Sequence, residues 1–371
     1  MPVLRAMDLG FTPLAYIDSF TSIQWTRKLW EVGTFEIHCS LSREGAERLV
    51  DDTVVFIGEN RAGIISSFSM EKSKNQQKIV AKGKELKDIC RWRSTVPGRL
   101  EDTRYYGYDR FPATNEPAVP VESVIKHYAD RHMVSPEDTN RALSNLVIAT
   151  DRLRGDTTRW SSRFSKLTDL FSDIGKVYGV GYEIILDLAN ERFVFDTVHG
   201  DDHTAGSSCP VVFSTGWSNI ATLQYGLDKS TYVNTAYLGG AGEDEGRLIQ
   251  IIYEDDEPKT GYGRREMFID CGSIDTIGDL KYEGKYKLQD YVVVRTLTGE
   301  VVPSGPYEYR TDWDLGDFVT LQSKEFGVEL DVQITEVKEI YERGKIRAVP
   351  TFGKRHRNII YDEIRKIGTV R

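Results

Sequence analysis

The densest group of metal-ligand side chains in the 371-residue chain is His199-Gly-Asp201-Asp202-His203, followed by Cys209. Two imidazoles with a carboxylate or thiolate form the donor set of a zinc-type hydrolytic centre, which makes His199, Asp201 and His203 the candidate metal ligands. Their spacing fits this chemistry less well than their types do. A His-x-x-x-His pair shares one face on a helix, whereas this pair follows the strand-like run 193–198 and leads into the loop sequence Gly206-Ser-Ser-Cys-Pro. A solvated polar loop is the competing reading, and the expectation is that no metal or cofactor is required.

Other chemistry is less well represented. His38 adjoins Cys39, but neighbours on a strand point to opposite faces, so ring and thiol cannot meet locally and Cys39 reads as a core thiol. No GxSxG, HExxH, Walker A or GxGxxG sequence is present. Leu238-Gly-Gly-Ala-Gly242 lacks the Lys-Ser/Thr ending of a phosphate cradle and reads as a turn. Acidic pairs such as Asp51–Asp52, Asp201–Asp202 and Asp255–Asp256 sit in polar runs, where solvated surface is the default. Trp25, Trp30, Trp92, Trp160, Trp217 and Trp313 could stack on carbohydrate, although so scattered a set suits core or interface packing better.

The elements that must position these side chains are mostly strands. In residues 33–39, Phe35, Ile37 and Cys39 alternate with Thr34, Glu36 and His38, the pattern of a half-buried strand. Similar runs at 14–17, 22–26, 54–57, 62–70 and 78–81 have the spacing of an antiparallel barrel or sandwich. One short helix is expected among them, at 42–50 with Ser42 as its N-cap. A further helix is expected over 84–92, and the Pro-, Gly-, Tyr- and Arg-rich stretch 93–120 marks a domain boundary. Beyond it the period changes. Val121, Val124, Ile125, Tyr128 and His132 form an amphipathic stripe after Pro120, and Leu167, Leu170, Phe171, Ile174 and Tyr178 form a second. Residues 182–198 read as a hairpin around Ala189-Asn-Glu191, so the middle unit is α+β, two helices on a small sheet. Strand-like runs return from 211 to 352. The last segment, 354–371, sets basic residues, among them Arg355 and Arg357, around Ile359, Ile360, Ile364 and Ile367 as a basic amphipathic tail.

Composition limits the partners. With 48 Lys and Arg against 57 Asp and Glu the formal charge is −9, which argues against stable nucleic-acid binding. No segment approaches the roughly 18 uninterrupted apolar residues of a spanning helix, and the opening residues lack a signal-peptide pattern, so a soluble product is expected. Cys39, Cys90, Cys209 and Cys271 lie far apart without a CxxC pair and are expected to be reduced thiols.

The order of several motifs adds a resemblance. Tyr16-Ile-Asp-Ser-Phe, Ile23-Gln-Trp-Thr-Arg-Lys and Glu31-Val-Gly-Thr-Phe-Glu-Ile-His come first. They are followed by Ile64-Ile-Ser, Val80-Ala-Lys-Gly-Lys-Glu-Leu, Tyr232-Val-Asn-Thr-Ala-Tyr-Leu-Gly-Gly, Gly263-Arg-Arg-Glu-Met-Phe-Ile-Asp and Asp314-Leu-Gly-Asp-Phe-Val. In this order they resemble the siphophage tail-tip hub proteins, a baseplate-hub-like, tail-associated family, over nearly the whole chain. The resemblance implies a mainly β chain with an α+β insert: two antiparallel β-barrel domains of tail-hub type separated by a small α+β domain. It places the first barrel in 1–95, the middle domain in 96–207, the second barrel in 208–240 with 290–352, an inserted β-rich segment in 241–289 and the basic tail in 353–371.

The resemblance further implies a homotrimeric ring in the virion, at the tip of a phage or prophage tail, assembled in the bacterial host cytoplasm. Such a ring adapts the hexameric tail tube to the tip and lets DNA pass. The implied partners are the distal tail or tail-tube protein, other tail-tip proteins and the tape measure protein. Trp25, Arg27, Phe35, Arg264, Arg265, Arg355 and Arg357 are the interface candidates. Two departures stand out. Related proteins carry a long helix after the Arg-Arg-Glu-Met-Phe-x-Asp motif, whereas 278–290 is short and contains Gly284, which implies a reduced insert. No cell-wall hydrolase module follows the last expected strand, so the chain is expected not to be an enzyme. A metal-dependent hydrolase or a carbohydrate-binding module acting at the host cell wall are the alternatives.

Overall fold

The computed structural model describes residues 3–354 apart from 59–60, 74–76, 102–103, 106–108, 114–115, 218, 273, 289–290, 302–304, 326 and 343. Seven strands open the chain: β1 (Leu4–Met7), β2 (Pro13–Ile17), β3 (Ser22–Lys28), β4 (Thr34–Ser40), β5 (Val54–Ile57), β6 (Ala62–Lys72) and β7 (Gln77–Glu85). Alternation decides which face each residue takes. Ile23 and Trp25 on β3, Phe35, Ile37 and Cys39 on β4, and Ile79 and Ala81 on β7 turn inward and join Leu4, Ile17 and Val55 in one core. Trp25 stands opposite Phe35, and Phe35 opposite Gly83. The Trp25 and Phe35 rings stack with centroids 4.5 Å apart.

Two expected helices are shorter and tighter than their periodicity predicts. The 42–50 stretch holds only the 3-10 turn Ala46–Arg48, because Gly45 takes φ 83° immediately before it, a left-handed conformation that no helix runs through. The Ser42 hydroxyl meets Ser40 instead of capping a helix. Leu86–Trp92 is likewise a 3-10 segment.

In the middle region α1 (Val121–Ala129) and α2 (Leu167–Tyr178) form on the two predicted stripes. The strands Gly181–Asp187 and Arg192–Val198 form the hairpin, and Leu146–Ile148 adds a third strand parallel to Arg192–Val198. Phe171 of α2 packs on Tyr182 and Phe195 of this sheet with centroids 5.1 and 5.3 Å away.

The strands Phe318–Ser323, Val328–Glu342 and Lys345–Lys354 pair antiparallel. Val328–Glu342 also pairs with β3, which places Glu339 opposite Trp25 and Val337 opposite Arg27. The opening and closing β regions therefore share one sheet, running Lys345–Lys354, Val328–Glu342, β3, β4, β7, β6, β5, β1, β2. The protein is mainly β with few helices, and among the described residues no sheet closes into a barrel.

The chain forms two compact units, 1–223 with the chain from 298 onward, and 224–297. Within 224–297, Thr235–Gly239 is the central strand, antiparallel to Ile249–Tyr253 and parallel to Glu266–Asp270. The helix α3 (Ile277–Leu288) occupies most of the 278–290 stretch and closes a small core of Ala236, Leu238, Ile252, Ile269, Leu280 and Leu288.

Candidate functional site

Arg27 stands in the inward register of β3, two residues beyond Trp25, and is buried. A guanidinium in that position needs acceptors. Arg27 Nη1 donates to Asp314 Oδ1 at 2.6 Å and to Tyr309 Oη at 2.8 Å. Tyr309 donates onward to Glu339 Oε1 at 2.7 Å, and Tyr341 donates to Glu339 Oε2. Arg61 Nε lies 2.6 Å from the same Oε2, and Glu339 is completely buried. Burial works against the Arg27 charge, but Tyr309, Asp314 and Glu339 outweigh it and raise the guanidinium pKa. Burial also pushes the Tyr309 hydroxyl up, so that it stays protonated and donating.

The cleft beside this network is lined by Arg27, Glu85, Lys87, Tyr182 and Glu183. The Lys87 ammonium donates to the carbonyls of Lys28 and, at 3.3 Å, Tyr182. Glu85 Oε2 accepts from the Gly33 N–H at 2.8 Å. These charged groups therefore fasten the β3–β4 turn to the middle sheet, which is a structural use of ionic chemistry.

The candidate metal ligands do not converge as a set. Asp201 and His203 meet Asp317, with one donor atom of each within 4.8 Å of the others. Asp317 Oδ1 accepts from the Asp201 N–H at 2.8 Å and Oδ2 from the Asp314 N–H at 2.7 Å. His203 Nδ1 lies 2.9 Å from the Cys209 carbonyl, and its Nε2 is 3.8 Å from Asp317 Oδ2. These three residues are the ones that could hold a cation. Asp317, however, already joins two backbone segments, so its carboxylate acts as a fastener between loops.

His199 lies instead near a charged network at the start of α1, its Nε2 buried and without a hydrogen-bond partner among the described residues. Glu122, completely buried, lies 2.7 Å from Lys126 Nζ and 2.9 Å from Arg154 Nε, and Lys126 Nζ is 2.8 Å from Asp196. Burial alone would raise the Glu122 pKa, but Arg154 and Lys126 outweigh it and hold the carboxyl well below its usual range. Burial, with the nearby Arg154 charge, lowers His199 to about 4. His38, meanwhile, lies 2.6 Å from Glu36, while Cys39 points into the core.

With this geometry in view, the relationships of the chain carry weight. Residues 4–354 match the family described as Siphovirus ReqiPepy6 Gp37-like protein. The chain belongs to that family. Its fold is shared with solved prophage proteins along almost the full length of both partners. The prophage MuSo2 43 kDa tail protein from Shewanella oneidensis is 12% identical, with 95% of this chain and 98% of that chain covered and a TM-score of 0.59. The tail protein from Neisseria meningitidis MC58 is 13% identical, with 95% and 96% covered and a TM-score of 0.57. Prophage tail protein gp18 from Listeria monocytogenes EGD-e is 14% identical, with 99% of each chain covered and a TM-score of 0.55. No curated protein matches the sequence.

In this member of the Gp37-like family the interface candidates fall into three groups. Trp25 and Phe35 are core residues, because the inward register of β3 and β4 carries them away from any surface; Arg27 is buried with them. Arg264 and Arg265 lie in the 224–297 unit, where Arg264 sits over the Tyr237 and Tyr253 rings and pairs with Glu266, and Arg265 sits over the Tyr232 ring. Arg355 and Arg357 lie outside the described residues. The sequence reading missed Arg61, Tyr309 and Glu339. One signal for them exists: Arg27 and Glu339 each occupy the buried register of an alternating strand, and opposite charges in such positions call for each other.

Proposed function

We propose that the protein is a structural component of a phage or prophage tail, a hub at the tail tip or baseplate. Three copies form a ring that adapts the hexameric tail tube to the tip and lets DNA pass. One observation carries this reading: a family match over residues 4–354 coincides with a fold shared end to end with prophage tail proteins. On this reading the β regions 1–95 and 208–240 with 290–352 stand for two related hub barrels, joined here through one shared sheet. Three copies would then present six β regions to a six-fold tube. The formal charge of −9 suits a passage that repels DNA and does not hold it. The partners on this reading are the tail-tube protein, other tip proteins and the tape measure protein, and the place of action is the virion.

The role is assembly and not catalysis. Asp317, the residue that completes the Asp201–His203 cluster, is engaged by two backbone N–H groups, which favours a fastening role over a hydrolytic one. Antibody labelling of purified particles under the electron microscope tests the placement. Label at the tail end is expected; label on the capsid, or its absence from particles whose proteins include this chain by mass spectrometry, would overturn it.

A further inference from the structure

The 224–297 unit leaves exposed apolar side chains on one sheet face. Its core takes Ala236, Leu238, Ile252 and Ile269, so the alternate residues of the same strands face away from α3. Tyr237 stands directly between Ile251 and Phe268 in register, and the three make an apolar row across the sheet. Ile249, Ile251 and Phe268 are exposed by 47%, 39% and 53%. Glu266 and Asp270 flank Phe268 on its own strand, about 13 Å apart at strand spacing. Their side chains are 47% and 67% exposed, whereas their partners Arg264 and Arg247 lie over Tyr237 and Phe268 and are 25% and 27% exposed. The face thus presents an apolar row partly overlain by Arg264 and Arg247, with the paired carboxylates of Glu266 and Asp270 turned outward at its ends. Residues 224–297 hold fourteen Asp and Glu against nine Lys and Arg, so this unit carries −5 of the chain's −9.

The complement to that face is in the same chain. Residues 355–371 carry five Lys and Arg against two Asp and Glu, a charge of +3, with Ile360, Ile364 and Ile367 at the i, i+4, i+7 spacing of one helix face. Seventeen residues span at most about 55–60 Å extended. We infer that the 355–371 segment of one copy docks through its isoleucine stripe on the Tyr237–Ile251–Phe268 row of a second copy, its basic residues meeting Glu266 and Asp270. This rests on the homo-oligomeric reading above and names the surfaces that tie the copies together.

The test uses the full chain with a photo-reactive benzophenone side chain in place of Ile251, assembled from mixed isotopically light and heavy copies. Irradiation is expected to link position 251 to peptides from 355–371, with links between light and heavy copies. The triple variant Ile360→Ser, Ile364→Ser, Ile367→Ser and the double variant Glu266→Lys, Asp270→Lys are each expected to cut the yield at least about tenfold, with circular dichroism unchanged. Links that map elsewhere, or only within one copy, overturn the inference. The mass of the same samples separates the two claims: an oligomer without tail links refutes the docking alone, and a monomer refutes the oligomeric reading with it.

Discussion

Arg27 and Glu339 are charges that neither strand could bury alone. Each is held by the other through Tyr309, with Asp314 and Arg61 completing the set. Removing one partner strands the rest, so Arg27→Met is predicted to lower unfolding stability by about 3 to 5 kcal/mol in urea titrations. A loss below about 1 kcal/mol would show that the network relaxes without cost. The burial of His199 makes a prediction about acid. His199 titrates near 4 in the folded chain against an ordinary 6.5, so the unfolded chain takes up its proton first. Stability is then intact above about 6.5 and declines as the pH falls toward 4. Glu122, held low by Arg154 and Lys126, adds a loss in the same direction once the pH drops below its ordinary value of 4.5. His199→Gln should flatten the upper part of that slope, by about 1 to 2 kcal/mol after allowance for the partial exposure of the ring. An unchanged slope in thermal melts between pH 7 and pH 4 would count against this assignment.

At the scale of elements, the β3–β4 hairpin packs on β7 through a close approach at Gly83. A Cβ on Gly83 would lie 2.1 Å from the Ile64 carbonyl oxygen and 2.3 Å from Phe35 Cζ. Gly83→Ala is therefore predicted to cost about 1 to 3 kcal/mol by pushing the aromatic stack off its strand. Gly206→Ala, where a Cβ would meet nothing within 4 Å, should stay within about 0.5 kcal/mol. Equal effects in denaturant melts would refute the steric reading. This hairpin was legible in the sequence because alternation alone assigns Trp25, Phe35 and Ile37 to one face, and α1 and α2 were legible because their stripes are long. The 42–50 helix was not, since a single left-handed Gly45 overrides the apolar spacing around it. Nor could spacing reveal that Val328–Glu342 would pair with β3, because register between distant strands is fixed by the assembled core. The candidate metal set was legible only in part for the same reason: Asp317 reaches Asp201 and His203 only through tertiary structure, while His199 lies away from them, near Arg154.

At the scale of the whole molecule, the chain brings an open sheet, an α+β layer and an acidic unit with an exposed apolar face, and a symmetric ring would give that face a use. Self-assembly is the central claim, and the mass of the purified protein across a concentration series reads it directly. Multi-angle light scattering is predicted to find a species at three times 42.2 kDa that persists on dilution through the micromolar range. A single species of 42.2 kDa at every concentration would contradict a self-assembling tail hub.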